Sequence, residues 1–223
     1  MCVSAEASFG LAGVLLPVGV YCMKNAVQRD RSTLPVAIIP LIFGIQQACE
    51  GIVWVGIHRA DAELTRLAAT GFLFFALAFW LFWIPFCGVF LDPRRHVKRR
   101  LAVVALLGLI GGTVLFFPIV SDRSGPQATV VRHSIRYEYA SPPTARFAPE
   151  AVWHSFYLVI VATPLIVVKN KTLLWFATAL VASAVVSHLF FFYAFASIWC
   201  FLAALLSLYL AYLFHRGPQR RTP

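Results

Sequence analysis

A stretch of 42 residues without a charged side chain, residues 173–214, constrains the fold most strongly. As one α-helix it would be about 63 Å long, roughly twice the hydrocarbon thickness of a bilayer. We therefore expect the chain to fold back near residues 193–197, giving two membrane-crossing helices. Hydrophobic residues make up 60% of the 223 positions, and a soluble domain of this length could not bury so much apolar surface.

The apolar segments predict an all-α integral membrane domain of seven transmembrane helices, occupying residues 1–223 as one unit. The first lacks the basic start and the cleavage site of a secretory signal, so we expect it to be retained. Between the fourth and fifth helices lies a loop, residues 121–150, in which we expect a short hairpin or lid, with an irregular surface loop as the alternative. The predicted spans are residues 5–23, 34–57, 67–91, 101–120, 151–168, 173–193 and 197–214.

Charge placement predicts the orientation of these helices. The chain carries 19 Lys and Arg against 9 Asp and Glu, and thirteen of the basic residues fall in every second connection. By the positive-inside rule these connections and the tail, residues 215–223, are cytoplasmic, so the N-terminus lies outside. We therefore expect a multi-pass protein of the bacterial inner (plasma) membrane and no nucleic-acid binding. The thirteen basic residues are Lys24, Arg29, Arg31, Arg94, Arg95, Lys98, Arg99, Arg100, Lys169, Lys171, Arg216, Arg220 and Arg221.

Glu50 is the only charged residue in the second predicted span. A carboxylate near the middle of a transmembrane helix costs about 2.5–3.5 kcal/mol on insertion scales. Gln46, Glu50 and Trp54 recur every four residues and share one helix face. No Lys or Arg lies within a predicted span, which favours a functional carboxyl group over an ion pair. A protonated, hydrogen-bonded structural acid is the alternative.

Helix directions place the other polar residues at a similar depth. Glu50 and His188 each lie about 10 Å below the outer end of their helix, and His154 about 5 Å. Trp199 lies at a depth like that of His154, and Cys2 precedes the first helix on the same side. These positions predict a polar pocket in the outer third of the membrane. Each residue also has a simpler role, as a hydrogen-bond donor, an interfacial anchor or a packing residue.

Cys2 is notable because a small residue after Met1 favours removal of the methionine. The exposed cysteine would carry a free α-amine, and the amine and thiolate together could bind a metal or act as nucleophile and base. A disulfide to Cys200 is another alternative, and with Met1 retained Cys2 is only a thiol near the outer surface. The five cysteines show no zinc-finger spacing.

Three segments, residues 1–9 (MCVSAEASF), 39–51 (IPLIFGIQQACEG) and 197–204 (SIWCFLAA), carry a family resemblance. They resemble a bacterial family of uncharacterised multi-pass membrane proteins that begin Met-Cys-Phe-Ser-Ala, with Val3 here in place of the phenylalanine. The resemblance covers most of the chain in order. It implies a bacterial membrane protein of about seven spans, and it implies no activity.

One hypothesis for function is a metal centre at the outer face. Cys2, Glu50, His154 and His188 offer thiolate, carboxylate and imidazole ligands that suit Zn²⁺, with Cu or Fe as alternatives. Gln46 and Gln47 would then orient a water or a substrate carbonyl beside Glu50. The protein would be a metal-dependent hydrolase of a lipid-like substrate.

The alternative is a non-enzymatic binding or sensing protein. Trp54 and Trp199 would hold a small apolar ligand, or a haem ligated by His154 and His188. Its partners would be membrane lipids and an amphipathic small molecule. Transport is less favoured because the sequence shows no inverted repeat. The oligomeric state does not follow from the sequence.

Overall fold

The computed structural model describes residues 4–140, 150–168 and 171–216. These residues form a bundle of helices with one two-stranded hairpin between the sixth and seventh. Short 3₁₀ turns cover Arg31–Thr33 and Phe192–Ala194. The elements are α1 (Ala5–Arg29), α2 (Leu34–Ala37), α3 (Ile39–His58), α4 (Ala62–Leu73), α5 (Trp80–Leu91), α6 (Arg95–Ser121), β1 (Gln127–Val131), β2 (Ser134–Glu138), α7 (Glu150–Val167), α8 (Lys171–Phe190) and α9 (Phe195–Arg216).

Within the described residues, five helical segments are long and apolar enough to cross a membrane. Two further apolar helices are shorter, Val152–Val167 and Leu174–Phe190. These seven segments follow the order predicted from the sequence, and their ends lie within six residues of the predicted ones. The five long segments are Ala5–Arg29, Arg31–His58, Ala62–Leu91, Arg95–Ser121 and Phe192–Tyr212.

The uncharged stretch near the C-terminus folds back as expected. Phe191 leaves the helical conformation, with φ −135° and ψ 35°. The 3₁₀ turn that follows leads directly into α9, so the reversal begins two residues before the predicted segment. The prediction of two helices here is confirmed.

The third segment contains a feature that the sequence does not predict. Residues Phe74–Phe79 form a π-helical turn between α4 and α5. A π turn holds one more residue than an α turn, so it rotates everything that follows it. Trp80, the first residue of α5, therefore points inward and is only 4% exposed.

The glycines of α6 allow close contact with neighbouring helices. A Cβ atom on Gly108 would collide with the backbone carbonyl of Leu81, and one on Gly112 would lie 2.8 Å from the Cα of Ala78. On Gly111 it would lie 2.6 Å from the ring of Phe156. Small residues let membrane helices approach backbone to backbone. The close packing of α6 against its neighbours therefore depends on these glycines.

One end of the bundle, which we call the hairpin end, carries the β-hairpin. The strands pair antiparallel, with Val131 opposite Ser134. Arg132 and His133 form the turn with φ values of 47° and 62°, as a two-residue turn of the I′ kind requires. Ile135 is fully buried against Val53 of α3. The predicted hairpin is therefore confirmed, and it packs over the ends of α3 and α4.

The opposite end, which we call the basic end, is held by arginine contacts to helix termini. Arg29 donates to the carbonyl of Phe214 at 3.1 Å, which joins α1 to α9. Arg94 donates to Asp92 at 2.6 Å and to the carbonyl of Val167 at the end of α7. These bonds from Arg94 lower the pKa of Asp92 to about 2. The Asp92 carboxylate therefore stays charged and keeps Arg94 in place at neutral pH.

The contact between α6 and α5 gives a direct test of the helix packing. Gly108→Ala should lower the free energy of unfolding by roughly 1–3 kcal/mol, because the added methyl group forces the two backbones apart. Gly13→Ala is the matched control, since nothing lies within 4 Å of the position that its new Cβ atom would take. We expect the control to be neutral or slightly stabilising. Thermal unfolding of both variants in detergent measures the difference, and equal shifts would contradict the packing.

Candidate functional site

Glu50 lies at the centre of a buried polar cluster. Its carboxyl group is fully buried. Ser197 donates its hydroxyl to Oε1 at 2.5 Å, and Gln47 donates its amide to Oε2 at 3.3 Å. Among the described residues no Lys, Arg or His forms an ion pair with Glu50. Hydrogen bonds alone therefore compensate the burial, and one of them joins α3 to α9 across 147 residues of sequence.

Both glutamines of α3 make hydrogen bonds inside the protein. Gln46 and Gln47 are both fully buried. Oε1 of Gln46 accepts a hydrogen bond from the indole of Trp80 at 2.8 Å, and Trp80 stacks on Phe43 with ring centroids 4.1 Å apart. Gln46 thus connects α3 to the start of α5. The rotation imposed by the π turn is what brings Trp80 to this bond.

Tyr137 of β2 enters the same cluster from the hairpin. It lies near Glu50, Cys200 and Cys49, and burial raises the pKa of its hydroxyl well above the ordinary value. Its ring stacks on Phe72 with centroids 4.9 Å apart. The hydroxyl has no hydrogen-bond partner among the described residues. Sequence reasoning missed Tyr137, because no local pattern shows that a loop residue will insert beside Glu50.

The structure brings His154 and His188 together. Their ring centroids lie 5.7 Å apart in an edge-to-face arrangement. Phe195 packs against both rings, at 4.6 Å from His154 and 6.1 Å from His188. Two of the residues that the sequence assigns to one polar pocket, on α7 and α8, therefore lie next to each other.

A cavity of about 870 Å³ opens beside the histidine pair. Its walls come from α7, α8 and the start of α9, with β2 above and Ala76 and Leu77 of the π turn behind. Most of the lining is aromatic or aliphatic. The polar or aromatic residues that the lining includes are Arg136, Tyr137, Glu138, Tyr139, Trp153, His154, Ser155, Tyr157, His188, Phe192, Tyr193, Phe195, Trp199 and Cys200.

The predicted site residues divide into two groups. His154, His188 and Trp199 line the cavity. Glu50, Gln46 and Gln47 do not appear in its lining and lie behind Cys200, whose thiol is next to Glu50 and Gln46. The cavity and the buried polar cluster are therefore neighbouring layers that share Tyr137 and Cys200.

Trp54 lies apart from the other predicted ligand-binding tryptophan. It packs with Val53, Ala68 and Ile135 beneath the hairpin, and it stacks on His58 with centroids 6.0 Å apart. Trp199 packs instead on Tyr157 and Phe195. The structure does not place one ligand between Trp54 and Trp199.

The predicted metal ligands come together only in part. Within residues 4–140, 150–168 and 171–216, no group of three or more His, Cys, Asp or Glu side chains is placed to hold a metal ion. Cys2 lies outside the described residues. Cys200, its suggested disulfide partner, is a buried free thiol. The His154–His188 pair is what remains of the predicted ligand set.

The Ser197–Glu50 bond can be tested by removing either partner. Ser197→Ala should lower the free energy of unfolding by about 1–3 kcal/mol, because it leaves a buried carboxyl oxygen without its donor. Glu50→Gln should cost less, since an amide oxygen can still accept from Ser197. Thermal unfolding in detergent measures both effects.

Ser207→Ala is the matched control for this test. Ser207 is also fully buried on α9, but its hydroxyl donates to the Ala204 carbonyl of its own helix at 2.6 Å. We expect little change in stability. A loss of stability as large as that of Ser197→Ala would show that the interhelical hydrogen bond contributes no more to stability than a hydrogen bond within one helix.

Comparison with known proteins gives a family and no activity. Searches of curated proteins and of solved structures find no match. Residues 1–223 match the family model of DUF6629, described as a family of unknown function. Because the match spans the whole length given, the chain belongs to the DUF6629 family.

Proposed function

We propose that the protein crosses the inner membrane seven times, with the hairpin end outside and the basic end in the cytoplasm. The seven apolar helical segments and the gathering of Arg29, Arg94 and Arg95 at one end support this orientation. The threonines also fit a lipid environment. Thr113 is exposed and Thr163 is half-buried on apolar helices. Each donates its hydroxyl to a carbonyl of its own helix, which satisfies the group without water.

We further propose that the function of the protein is to bind an amphipathic small molecule in the cavity at the hairpin end. The observation that carries this proposal is the cavity of about 870 Å³ beside the His154–His188 pair. Small-molecule sites typically have volumes of about 300–1,000 Å³, with apolar walls and a few converging polar groups. The aromatic lining would hold an apolar body, and the imidazoles would bind a polar head.

The mouth of the cavity supports a ligand that arrives from the bilayer. Leu189 of α8 lines the cavity and is 69% exposed. Phe192, in the turn that follows α8, also lines it and is 53% exposed. Apolar side chains that are both exposed and part of the lining form a continuous surface from the lipid-facing side into the cavity. A membrane-dissolved molecule with a hydrogen-bonding head is therefore the class of ligand that fits best.

Binding can be measured with a fluorescent fatty acid added to the protein in detergent. We expect saturable binding at one molecule per chain, with energy transfer from tryptophans such as Trp199. His188→Ala should weaken the affinity about tenfold, because it removes the hydrogen-bonding group nearest the polar head. His96→Ala, a change at an exposed residue of the basic end, should leave the affinity unchanged. Equal affinity of all three proteins would refute the proposed site.

A second candidate is the metal-dependent hydrolase, favoured by the histidine pair alone. Two imidazoles fit part of the ligand set of Zn²⁺, Cu or Fe, and a further ligand would have to come from outside the described residues, as Cys2 could provide. A bound metal would supply Lewis-acid catalysis at this site.

Elemental analysis of the purified protein tests the metal-centre candidate. The metal-centre hypothesis predicts about one Zn, Cu or Fe per chain, lost in the His154→Ala/His188→Ala variant and retained in His96→Ala. Less than a tenth of a metal per chain in the wild-type protein would eliminate it. The ligand-binding proposal would be unaffected by that result.

A further inference from the structure

We propose that the outward face of α6 and the basic residues at its start form a binding site for an anionic phospholipid. The acyl chains would lie along the exposed aliphatic side chains of the helix, and the phosphate would bind the arginines of the basic end. This site is at the opposite end of the protein from the cavity. The proposal therefore succeeds or fails independently of the ligand-binding proposal.

The first observation is the register between the arginines and the apolar stripe of α6. Val103, Leu106 and Ile110 are 54%, 55% and 55% exposed. Arg99 precedes them by four, seven and eleven residues, so all four lie on one face of the helix. Arg95 lies one turn further towards the basic end on nearly the same face. The stripe thus ends in basic groups at the level where a lipid headgroup would lie.

The second observation is that these basic groups lack acidic partners. Arg95, Lys98, Arg99 and Arg100 are exposed, and none forms an ion pair within the described part of the chain. The neighbouring acid, Asp92, is already bound by Arg94 through two hydrogen bonds of its carboxylate. Four positive charges within six residues are left to attract an external anion.

The third observation favours a lipid over a second copy of this chain. The small residues of α6, which would permit a close helix–helix interface, face inward, where Gly108 contacts Leu81 and Gly112 contacts Ala78. The outward face carries large apolar side chains, including Phe117 at 64% exposure. Such a surface suits acyl chains better than a closely packed helix pair.

The chemistry of the arginines suits a phosphodiester group. Guanidinium groups donate paired hydrogen bonds to phosphate oxygens and lose less hydration than an ammonium group. Clusters of four or more basic residues next to a membrane helix attract anionic lipids, and each contributes to the affinity. A zwitterionic phosphatidylcholine offers the same phosphate with a compensating charge, so the site should discriminate between the two lipids.

The test compares lipid binding in two charge-matched variants. Native mass spectrometry of the detergent-solubilised full chain, titrated with phosphatidylglycerol or phosphatidylcholine, reports the bound lipids and the oligomeric state together. For Arg95→Gln/Arg99→Gln we expect about a tenfold loss of apparent phosphatidylglycerol affinity. Arg59→Gln/Arg123→Gln removes two exposed arginines near the hairpin end and should retain wild-type affinity.

Other outcomes would overturn the proposal. Equal losses of affinity in both variants would show that only the net charge of the protein matters. No loss in either variant would show that Arg95 and Arg99 do not bind the lipid. A change from dimer to monomer in Arg95→Gln/Arg99→Gln would assign the face to a contact between copies. If that variant fails to fold, Arg95→Lys/Arg99→Lys and a salt titration of the wild type replace it. An affinity for phosphatidylglycerol that is insensitive to salt would then refute the site.

Discussion

The hydrogen bond from Ser197 to Glu50 is the contact on which the centre of the bundle depends. It joins two helices that are 147 residues apart in sequence, at a point where neither side chain can reach water. A buried acid of this kind needs every available donor, because a lost partner leaves a polar group in an apolar medium. Gln47 supplies the second donor. The cluster therefore fixes the position of α9, and with it one wall of the cavity.

The cavity and the buried polar cluster share side chains, so a ligand in the cavity would contact residues that also surround Glu50. Tyr137 and Cys200 touch both, since each lines the cavity and lies near Glu50. Tyr137 belongs to the hairpin, so the hairpin is in contact with the interior as well as covering it. A ligand in the cavity would press on the same side chains that surround the buried carboxyl group.

The helices and the hairpin could be predicted from the sequence because they depend on local patterns. Apolar length defined the spans, and the reversal in residues 173–214 followed from bilayer thickness. Glu50 was recognisable as the one charge in its span, but its partner was not, since Ser197 is an ordinary serine on a distant helix. Trp54 shares a helix face with Glu50, but it lies one turn further along α3. It packs beneath the hairpin and is not part of the cavity lining. Tyr137 could be found only from tertiary packing.

The π turn at Phe74–Phe79 has a consequence for how this protein can vary. The extra residue rotates the rest of the segment by about 100° relative to an uninterrupted α-helix. Deleting one residue there would shorten the segment by one position and barely change its hydrophobicity, but it would turn Trp80 away from Gln46. A one-residue deletion would therefore disrupt the packing around Gln46 although the composition hardly changes. An insertion of one residue within the same turn would restore the packing. The turn therefore sets the rotation of α5 relative to α4.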